Sequence, residues 1–543
     1  MVAWTVVERE MRVAARLPWA WRGRVLPALF AVLALAGLVF FFPEFTGPQQ
    51  LGEWLFRMLS ALMFVVAGLG GFVATSDCLS REHREGTMGL LFLTELGPVD
   101  VLAGKLVASS FRIFLGLLAI VPVLAISLLG GGVTLWDLCA VALAALNLLY
   151  FSLAAGMLAS SCYREANKAF STGLLIVMIM VCGLPVFGGL IQDFWRLDQL
   201  WEASLLGCPG YPCFLALKGS GSNGWSEGFL ASLVVVHGMS WGLLGLSCLR
   251  LVRSLRVPEK PRGWRWGLFD PWKGGKSYRE KARRELLGEN AYLWRCALPV
   301  RKPWTVWLVL GFIWVIYGFG CWYRPAYFAN PASLLFIIVL ATLTIKLWVA
   351  MEAPHAIASD RQSGALELLS VTPLQGAELV AGQIAALKRQ FRAPIVVSYV
   401  AGLILAIFWF LHRHYWPGTE PVVILAWIVV AIADVVTIAY FSIAQATVSA
   451  TENGIVAKSI LFILIVPWLL YAFCSLVGSV IVFSLLRNVY GSFWWSEAMS
   501  LGGWVVVCLA WDAVVLAWAR QRLHLPIRDY AQISAGAPAK PRP

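Results

Sequence analysis

Four ionisable side chains, His237, Lys346, Asp434 and Asp512, fall inside stretches of sequence that are otherwise apolar. A charge at the centre of a bilayer costs roughly 2.5–3.5 kcal/mol even on the mildest scale, so such residues usually face a partner, a cavity or a pathway. Their chemistry would be substrate contact, gating, or pairing between helices. Lys346 has a further option, because a long side chain can snorkel to the cytoplasmic interface. Enzyme chemistry has no comparable foothold. The six His are scattered, with only His412 and His414 close together, and no metal-ligand spacing appears. No nucleophile sits with a recognisable base. A P-loop needs Gly, four residues, then Gly-Lys-Ser/Thr, because backbone N–H groups and the Lys wrap the phosphates. Gly104-Lys105 has Val99 at the first Gly position and Leu106 after the Lys; Gly275-Lys276 precedes Ser277 but has Asp270 at that first position. No catalytic residue and no cofactor are therefore expected, and any ATP hydrolysis belongs to another polypeptide.

The elements that would hold these residues follow from composition. Of 543 residues, 59% are hydrophobic and only 13% charged, with a mean hydropathy of +0.75. Soluble chains carry about 25% charge. Apolar runs near 20 residues match the ~30 Å hydrocarbon core as helix. Twelve spans are expected, near 25–41, 55–74, 106–129, 135–158, 169–190 and 229–251, then 304–320, 333–351, 393–411, 422–447, 460–483 and 504–519. The fold class is thus all-α, a polytopic integral membrane protein in contact with lipid. Many of the 27 Trp sit where spans end, as at Trp54, Trp195, Trp201, Trp304, Trp494 and Trp495, the headgroup depth that suits an amphipathic ring. Glu8, Arg9, Glu10, Arg12 and Arg16 precede the first run with no small-residue cleavage site after it, so that run reads as a retained span.

The net charge of +13 could suggest nucleic acid, but the excess Lys and Arg lie beside helix ends on alternate loops. That placement sets orientation, and it puts both termini in the cytoplasm. The one long polar stretch, 250–302, combines basic residues with Trp264, Trp266 and Trp272. It reads as a linker on the anionic inner leaflet, where each basic residue is worth about 1 kcal/mol. Arg279 to Leu287 within it reads as an amphipathic helix.

Self-comparison then divides the chain. Arg84-Glu85-Gly86-Thr87-Met88-Gly89-Leu90-Leu91 aligns with Gln362-Ser363-Gly364-Ala365-Leu366-Glu367-Leu368-Leu369, and the match runs on without a gap through Thr94 on Thr372 to Ala103-Gly104 on Ala381-Gly382. Glu8 aligns with Glu289, Leu17-Pro18 with Leu298-Pro299, Tyr150-Phe151-Ser152 with Tyr440-Phe441-Ser442, Lys168 with Lys458, and Trp241 with Trp511. Two six-helix units are expected, 1–252 and 304–520, with a linker at 253–303 and a cytoplasmic tail at 521–543. An even number of spans per copy makes the repeat parallel. Asp434 and Asp512 align with Ala144 and Gly242, so a symmetric proton relay is not expected.

The repeated cytoplasmic segment has a charged head, a Gly joint, a short amphipathic turn, then Pro98 or Pro373. It suits the membrane surface, and its presence twice suits a two-fold partner; a simple interfacial turn is the plainer reading. Glu82, Gly86-Thr87, Leu90-Leu91, Thr94 and Gly104-Lys105 in the first copy resemble the type-2 ABC-transporter permease family. In the second copy Asp360, Gly364, Leu368-Leu369, Thr372-Pro373 and Gly382 carry the same resemblance, as does Glu289 to Trp294 for the family's N-terminal interfacial helix. Gln383 replaces the Lys of the second Gly-Lys, and Ala365 replaces the Thr. The resemblance implies a permease subunit of an ATP-driven exporter, with two such units fused in a bacterial inner membrane. It also implies two copies of a separate ATP-binding cassette ATPase docking at Glu82, Arg84, Gly86, Thr87 and Thr94, and at Asp360, Arg361, Gly364, Glu367 and Thr372.

Two other classes stay open on the residues alone: an ion-coupled secondary transporter using Asp434 or Asp512, and a membrane scaffold for an export, motility or enzyme-maturation assembly. The substrate is not legible. In the outer loop, Cys208 and Cys213 flank Pro-Gly-Tyr-Pro, a spacing compatible with a disulfide in an oxidising compartment or with two free thiols. The resemblance implies that this loop forms a lid over the exit.

Overall fold

The computed structural model describes residues 48–86, 97–163, 166–185, 198–218, 227–256, 276–297, 304–323, 331–372, 374–411, 420–447, 452–468 and 497–523, with isolated residues elsewhere. Every regular element among them is helical. Backbone groups in lipid have no water to bond, and a helix satisfies them within one segment. Eight helices are long and apolar enough to cross a bilayer. Three shorter apolar helices, Thr172–Val181, Val306–Trp322 and Lys458–Trp468, fall at the fifth, seventh and eleventh expected spans. Of the first expected span only Val25, Leu29 and Val32 are described. The chain divides into two compact units, Met1–Arg262 and Gly263–Pro543.

In the first unit, α1 (Pro48–Val65) passes through a π turn at Val66–Gly70 into α2 (Gly71–Thr75), which leads to α3 (Cys78–Glu85). Next come α4 (Pro98–Gly130), α5 (Leu135–Cys162) and α6 (Ala166–Met178), then two short helices, α7 (Asp198–Leu206) and α8 (Tyr211–Lys218), and finally α9 (Glu227–Arg256). Local chemistry starts α4 and α5. Pro98 takes the first helical position, where its missing N–H costs nothing, and Asp100 Oδ2 accepts from Gly97 N at 3.0 Å. Thr134 and Asp137 cap α5 reciprocally: Thr134 N donates to Asp137 Oδ2 at 2.9 Å, and Asp137 N donates to Thr134 Oγ1 at 3.3 Å.

α5 is the spine of this unit, packed by α9, α2, α6, α8 and α4. The close crossing is made by small residues, as packing between helices in lipid requires. A Cβ on Gly156 would stand 2.3 Å from Thr75 Oγ1 and 2.9 Å from the Phe72 carbonyl oxygen, and one on Gly71 only 2.1 Å from Ser152 Oγ. Ser152 Oγ meets the Ala67 carbonyl at 2.9 Å. Thr75 Oγ1 reaches the Leu153 carbonyl at 3.0 Å. Ser152 thus serves a carbonyl of the π turn, where the regular helical ladder is disturbed, and Thr75 ties the following helix to the backbone of α5.

The second unit opens with α10 (Lys276–Glu289) and α11 (Ala291–Ala297), then α12 (Trp304–Tyr323) and α13 (Pro331–Gln362). Its remaining helices are α14 (Ala365–Ser370), α15 (Gly376–Leu411), α16 (Glu420–Ala446), α17 (Glu452–Ile460) with a π turn at Leu461–Ile465, and α18 (Glu497–Leu523). α10 contains the amphipathic stretch expected at Arg279 to Leu287; Trp264, Trp266 and Trp272 lie outside the described residues. α13 and α16 are the most enclosed spans here, packed on each other and, through α16, on α18.

The crossing at Gly156 gives a direct test. Gly156→Ala forces backbone against backbone, so it should lower the thermal midpoint of the purified protein, by the equivalent of about 1–3 kcal/mol. Gly242→Ala has open space around the new carbon and should leave the midpoint unmoved.

Candidate functional site

In the first unit α3 stops on Gly86, whose φ of 70° lies in the left-handed region. A residue with a Cβ pays roughly 1–2 kcal/mol there. Thr87 and Thr94, the two threonines of the expected docking segment, lie outside the described residues. The charged head is divided: Arg81 and Arg84 are exposed, whereas Glu82 is half-buried. Glu82 accepts from Lys105 Nζ of α4 at 2.8 Å, with side chains only 14% and 7% exposed. Arg84 forks onto Asp77, with bonds of 2.7 Å and 2.8 Å, the bidentate arrangement that fixes orientation. Ser80 Oγ lies 2.7 Å from the Tyr163 carbonyl and 3.0 Å from that of Ser160, which fastens α3 to the end of α5.

The second unit repeats the joint with other residues. α13 ends on Gly364, φ 72°, the position aligned with Gly86. Asp360 is buried at 3% exposure and accepts from the Tyr292 hydroxyl at 3.1 Å and from the Arg295 guanidinium. Gln383, aligned with Lys105, carries no charge for that carboxylate. Its amide donates to the Ala353 carbonyl at 3.0 Å, and its carbonyl accepts from Cys296 Sγ at 3.0 Å. The cation has moved to α11: extending the match of Leu17-Pro18 with Leu298-Pro299 places Ala14 opposite Arg295. Asn290 orders this helix, its Oδ1 accepting from Tyr292 N at 2.8 Å and its Nδ2 donating to the Glu378 carbonyl of α15 at 2.8 Å. Gly382 makes the approach possible, since a Cβ there would lie 2.8 Å from both Asn290 Oδ1 and Leu293 N. Burial, reinforced by neighbouring Asp360, pushes the Cys296 thiol up to about 12. The Tyr292 hydroxyl is driven upward mainly by burial, with Cys296 and Asp360 adding to it.

Of the expected docking residues, then, Glu82 and Asp360 are held in internal ion pairs, while Arg84 is exposed and forks onto the buried Asp77. Arg361 is half-buried. The outward surface of the second segment is made by Glu367 and Thr372, together with Leu368, 71% exposed, and Val371, 80% exposed. Lys105, Tyr292, Arg295 and Gln383 belong to the joint although the docking reading did not include them. The signal that could have found them is the loss of charge from Lys105 to Gln383, balanced by its gain from Ala14 to Arg295.

Three of the four intramembrane candidates meet. Lys346 of α13 is paired with Asp434 of α16, both side chains 6% exposed, so Lys346 does not snorkel. Its ammonium also stands 5.8 Å over the Trp427 ring, an additional cation–π attraction, and Trp427 stacks on Trp504 at 5.4 Å. Asp512 of α18 lies beside Asp434. His237 belongs to the first unit, on an exposed face of α9. It stacks on Tyr150 at 4.8 Å and accepts from Trp241 Nε1 at 3.1 Å. That is aromatic packing rather than a charged site.

Cys208 and Cys213 are not bridged: both are free and buried. The loop folds into α7 and α8, and the thiols find carbonyls instead. Cys213 Sγ, in the first turn of α8, donates to Pro209 four residues back at 3.8 Å, and Cys208 Sγ donates to Val181 at 3.3 Å. Burial pushes the Cys213 thiol up to about 12.

The strut can be tested by stranding one end. Lys105→Met removes the ammonium that Glu82 binds and should destabilise the protein by up to about 3–5 kcal/mol, read as a lowered unfolding midpoint. The double variant Glu82→Gln with Lys105→Met removes both charges and should recover most of that loss.

Residues 4–197 match the family model described as ABC-2 family transporter protein, a stretch that contains α1 to α6 and the first joint. No curated protein matches the chain.

Proposed function

The chain carries an ABC-2 type permease domain, and from that premise we propose that it is the membrane subunit of an ATP-driven exporter powered by a separate ATP-binding cassette ATPase. Two copies of that ATPase dock on the segments after Gly86 and Gly364, and the second unit is a further copy of the permease fold. The subunit lies in a bacterial inner membrane with both termini in the cytoplasm. One observation carries the reading: two aligned segments each leave a long helix on a left-handed glycine, at φ 70° and 72°, and each is pinned just before it by a buried acid and its cation.

The geometry supports a mechanical role. A glycine joint lets the distal turn present its own face, while the ion pair ties the proximal helix to its neighbour. A force on α14 passes through Asp360 to Arg295 and α11, and through the helix itself along α13. In the first unit the corresponding route runs from α3 through Glu82 and Lys105 into α4. Leu368 and Val371 beside Glu367 give the second segment an apolar tip with a charged edge, the composition of a binding anchor with its polar rim. Export as the direction rests on the family resemblance.

Docking should depend on the exposed tip and not on the buried acid. Leu368→Asp and Val371→Asp should each weaken co-purification of the cognate ATP-binding cassette subunit at least tenfold while the unfolding midpoint stays at the wild-type value. An ATPase that binds undiminished after the tips of both segments are replaced by Gly-Ser would defeat the proposal.

A further inference from the structure

We propose that Asp512 is a proton-binding site inside the second unit, built from Lys346, Asp434 and Asp512, and occupied by one proton at neutral pH. The site stands whether or not an ATPase docks on the segments described above.

Charge counting leads to it. Three helices deliver two carboxyl groups and one ammonium to one buried place. Lys346 and Asp434 compensate each other. Asp512 is 3% exposed, and neither carboxylate oxygen has a hydrogen-bond partner among the described residues. Its polar neighbours are Asp434 and Thr437, and the Thr437 hydroxyl is spent on the Ala433 carbonyl at 3.0 Å. Among the described residues the titratable or charged groups facing this place are Lys346 from α13, Asp434 from α16 and Tyr399 from α15, with Cys508 one turn earlier on α18 itself. Only Lys346 among them brings a positive charge. With both carboxyls ionised, one negative charge would remain buried without compensation, which costs several kcal/mol. Two adjacent carboxyls avoid this by sharing a proton.

The proton is the cation that this place can take. Trp504, Cys508 and Asp512 form one stripe of α18, and Trp504 and Cys508 are themselves only 6% and 3% exposed. Tyr399 and Trp427 close the surroundings with an aromatic wall. Metal ions such as calcium or magnesium ask for about six oxygen ligands, and the triad supplies four carboxylate oxygens, at least one already committed to Lys346. Nothing comparable exists at the aligned positions of the first unit, where Ala144 and Gly242 stand. The site therefore occurs once per chain. Lys346 can neutralise either carboxyl, and the one it leaves takes its proton from water and returns it there.

Infrared spectroscopy of the full-length protein in lipid nanodiscs reads the proton directly, through the C=O stretch of a protonated carboxyl. The wild type should show that band at neutral pH and lose it as the pH is raised. Asp512→Asn should abolish it. Asp434→Asn should abolish it too, because Lys346 then neutralises Asp512, while Lys346→Met should increase it by leaving two carboxyls to be protonated. Because deprotonation exposes an uncompensated charge, the wild-type unfolding midpoint should fall further at alkaline pH than that of Asp512→Asn. Should Asp512→Asn fail to fold, Asp512→Glu, which keeps the carboxyl in altered surroundings, must shift the band. A wild type without the band, a band untouched by Asp512→Asn, or a band unmoved by Asp512→Glu would each overturn the assignment.

Discussion

In each unit the turn before the left-handed glycine depends on a shielded carboxylate finding a cation. Glu82 and Asp360 are placed where water reaches them poorly, so each must be compensated from within the protein. A buried ion pair adds little net stability, because desolvation consumes most of the attraction, yet removing one partner is strongly destabilising. Its value is therefore registration: the pair permits one arrangement of α3 against α4, or of α13 against α11, and penalises the others. The glycine that follows is what this registration leaves free. Gly86 and Gly364 have nothing within 4 Å of an added Cβ, so their constraint is conformational and the chain beyond them is released to a new direction.

The two units meet the same demand with different residues. In the first, the cation rises from the next spanning helix as Lys105. In the second, that position is the neutral Gln383 and the charge comes from Arg295 on the short helix ahead of the first span of that unit. The acid has stayed while its partner has changed helix. A random loss of Lys would have stranded Asp360; instead Tyr292, Arg295 and the Gln383–Cys296 contact rebuild the joint around it. The compensation is an argument for the repeat that does not depend on counting identical residues.

Much of this architecture was legible because a bilayer admits few solutions. Apolar runs of the right length must be helices, and the helices found coincide with the spans expected from hydropathy. The glycine joints were legible for a similar reason, since a lone Gly after a charged helical turn is a strong sign of a left-handed stop. What was not legible depended on the registers of separate helices. Glu82 and Asp360 have the composition of a solvated face, and only the positions of Lys105 and Arg295 show that they turn inward. Lys346 lies more than eighty residues from Asp434 in sequence, so snorkelling and pairing could not be separated by pattern. The Cys208–Cys213 spacing left a bridge and two free thiols both open, and the thiols are free for a local reason: Pro209 and Gly210 lead into α8, whose first turn directs Cys213 back onto a carbonyl.

The same contrast between unlike copies bears on what the second unit is for. If both units were equal halves of a passive anchor, neither would gain from charges at membrane depth, and α16 and α18 could carry Ala and Gly as their counterparts do. Instead the second unit holds Lys346, Asp434 and Asp512 behind an aromatic wall, and it also carries the joint in which the interfacial helix α11 takes part. α13 connects the two features. Lys346 sits partway along it and Asp360 near its end, fourteen residues on, so both lie on one continuous helix. Pro354 stands between them within the helix; it removes one intrahelical hydrogen bond and favours a kink there, so Asp360 and Lys346 are joined through a proline-interrupted stretch of α13 and not through a straight rod. Among the described residues the first unit has the Glu82–Lys105 strut but no counterpart of the triad, Ala144 and Gly242 standing at the positions aligned with Asp434 and Asp512.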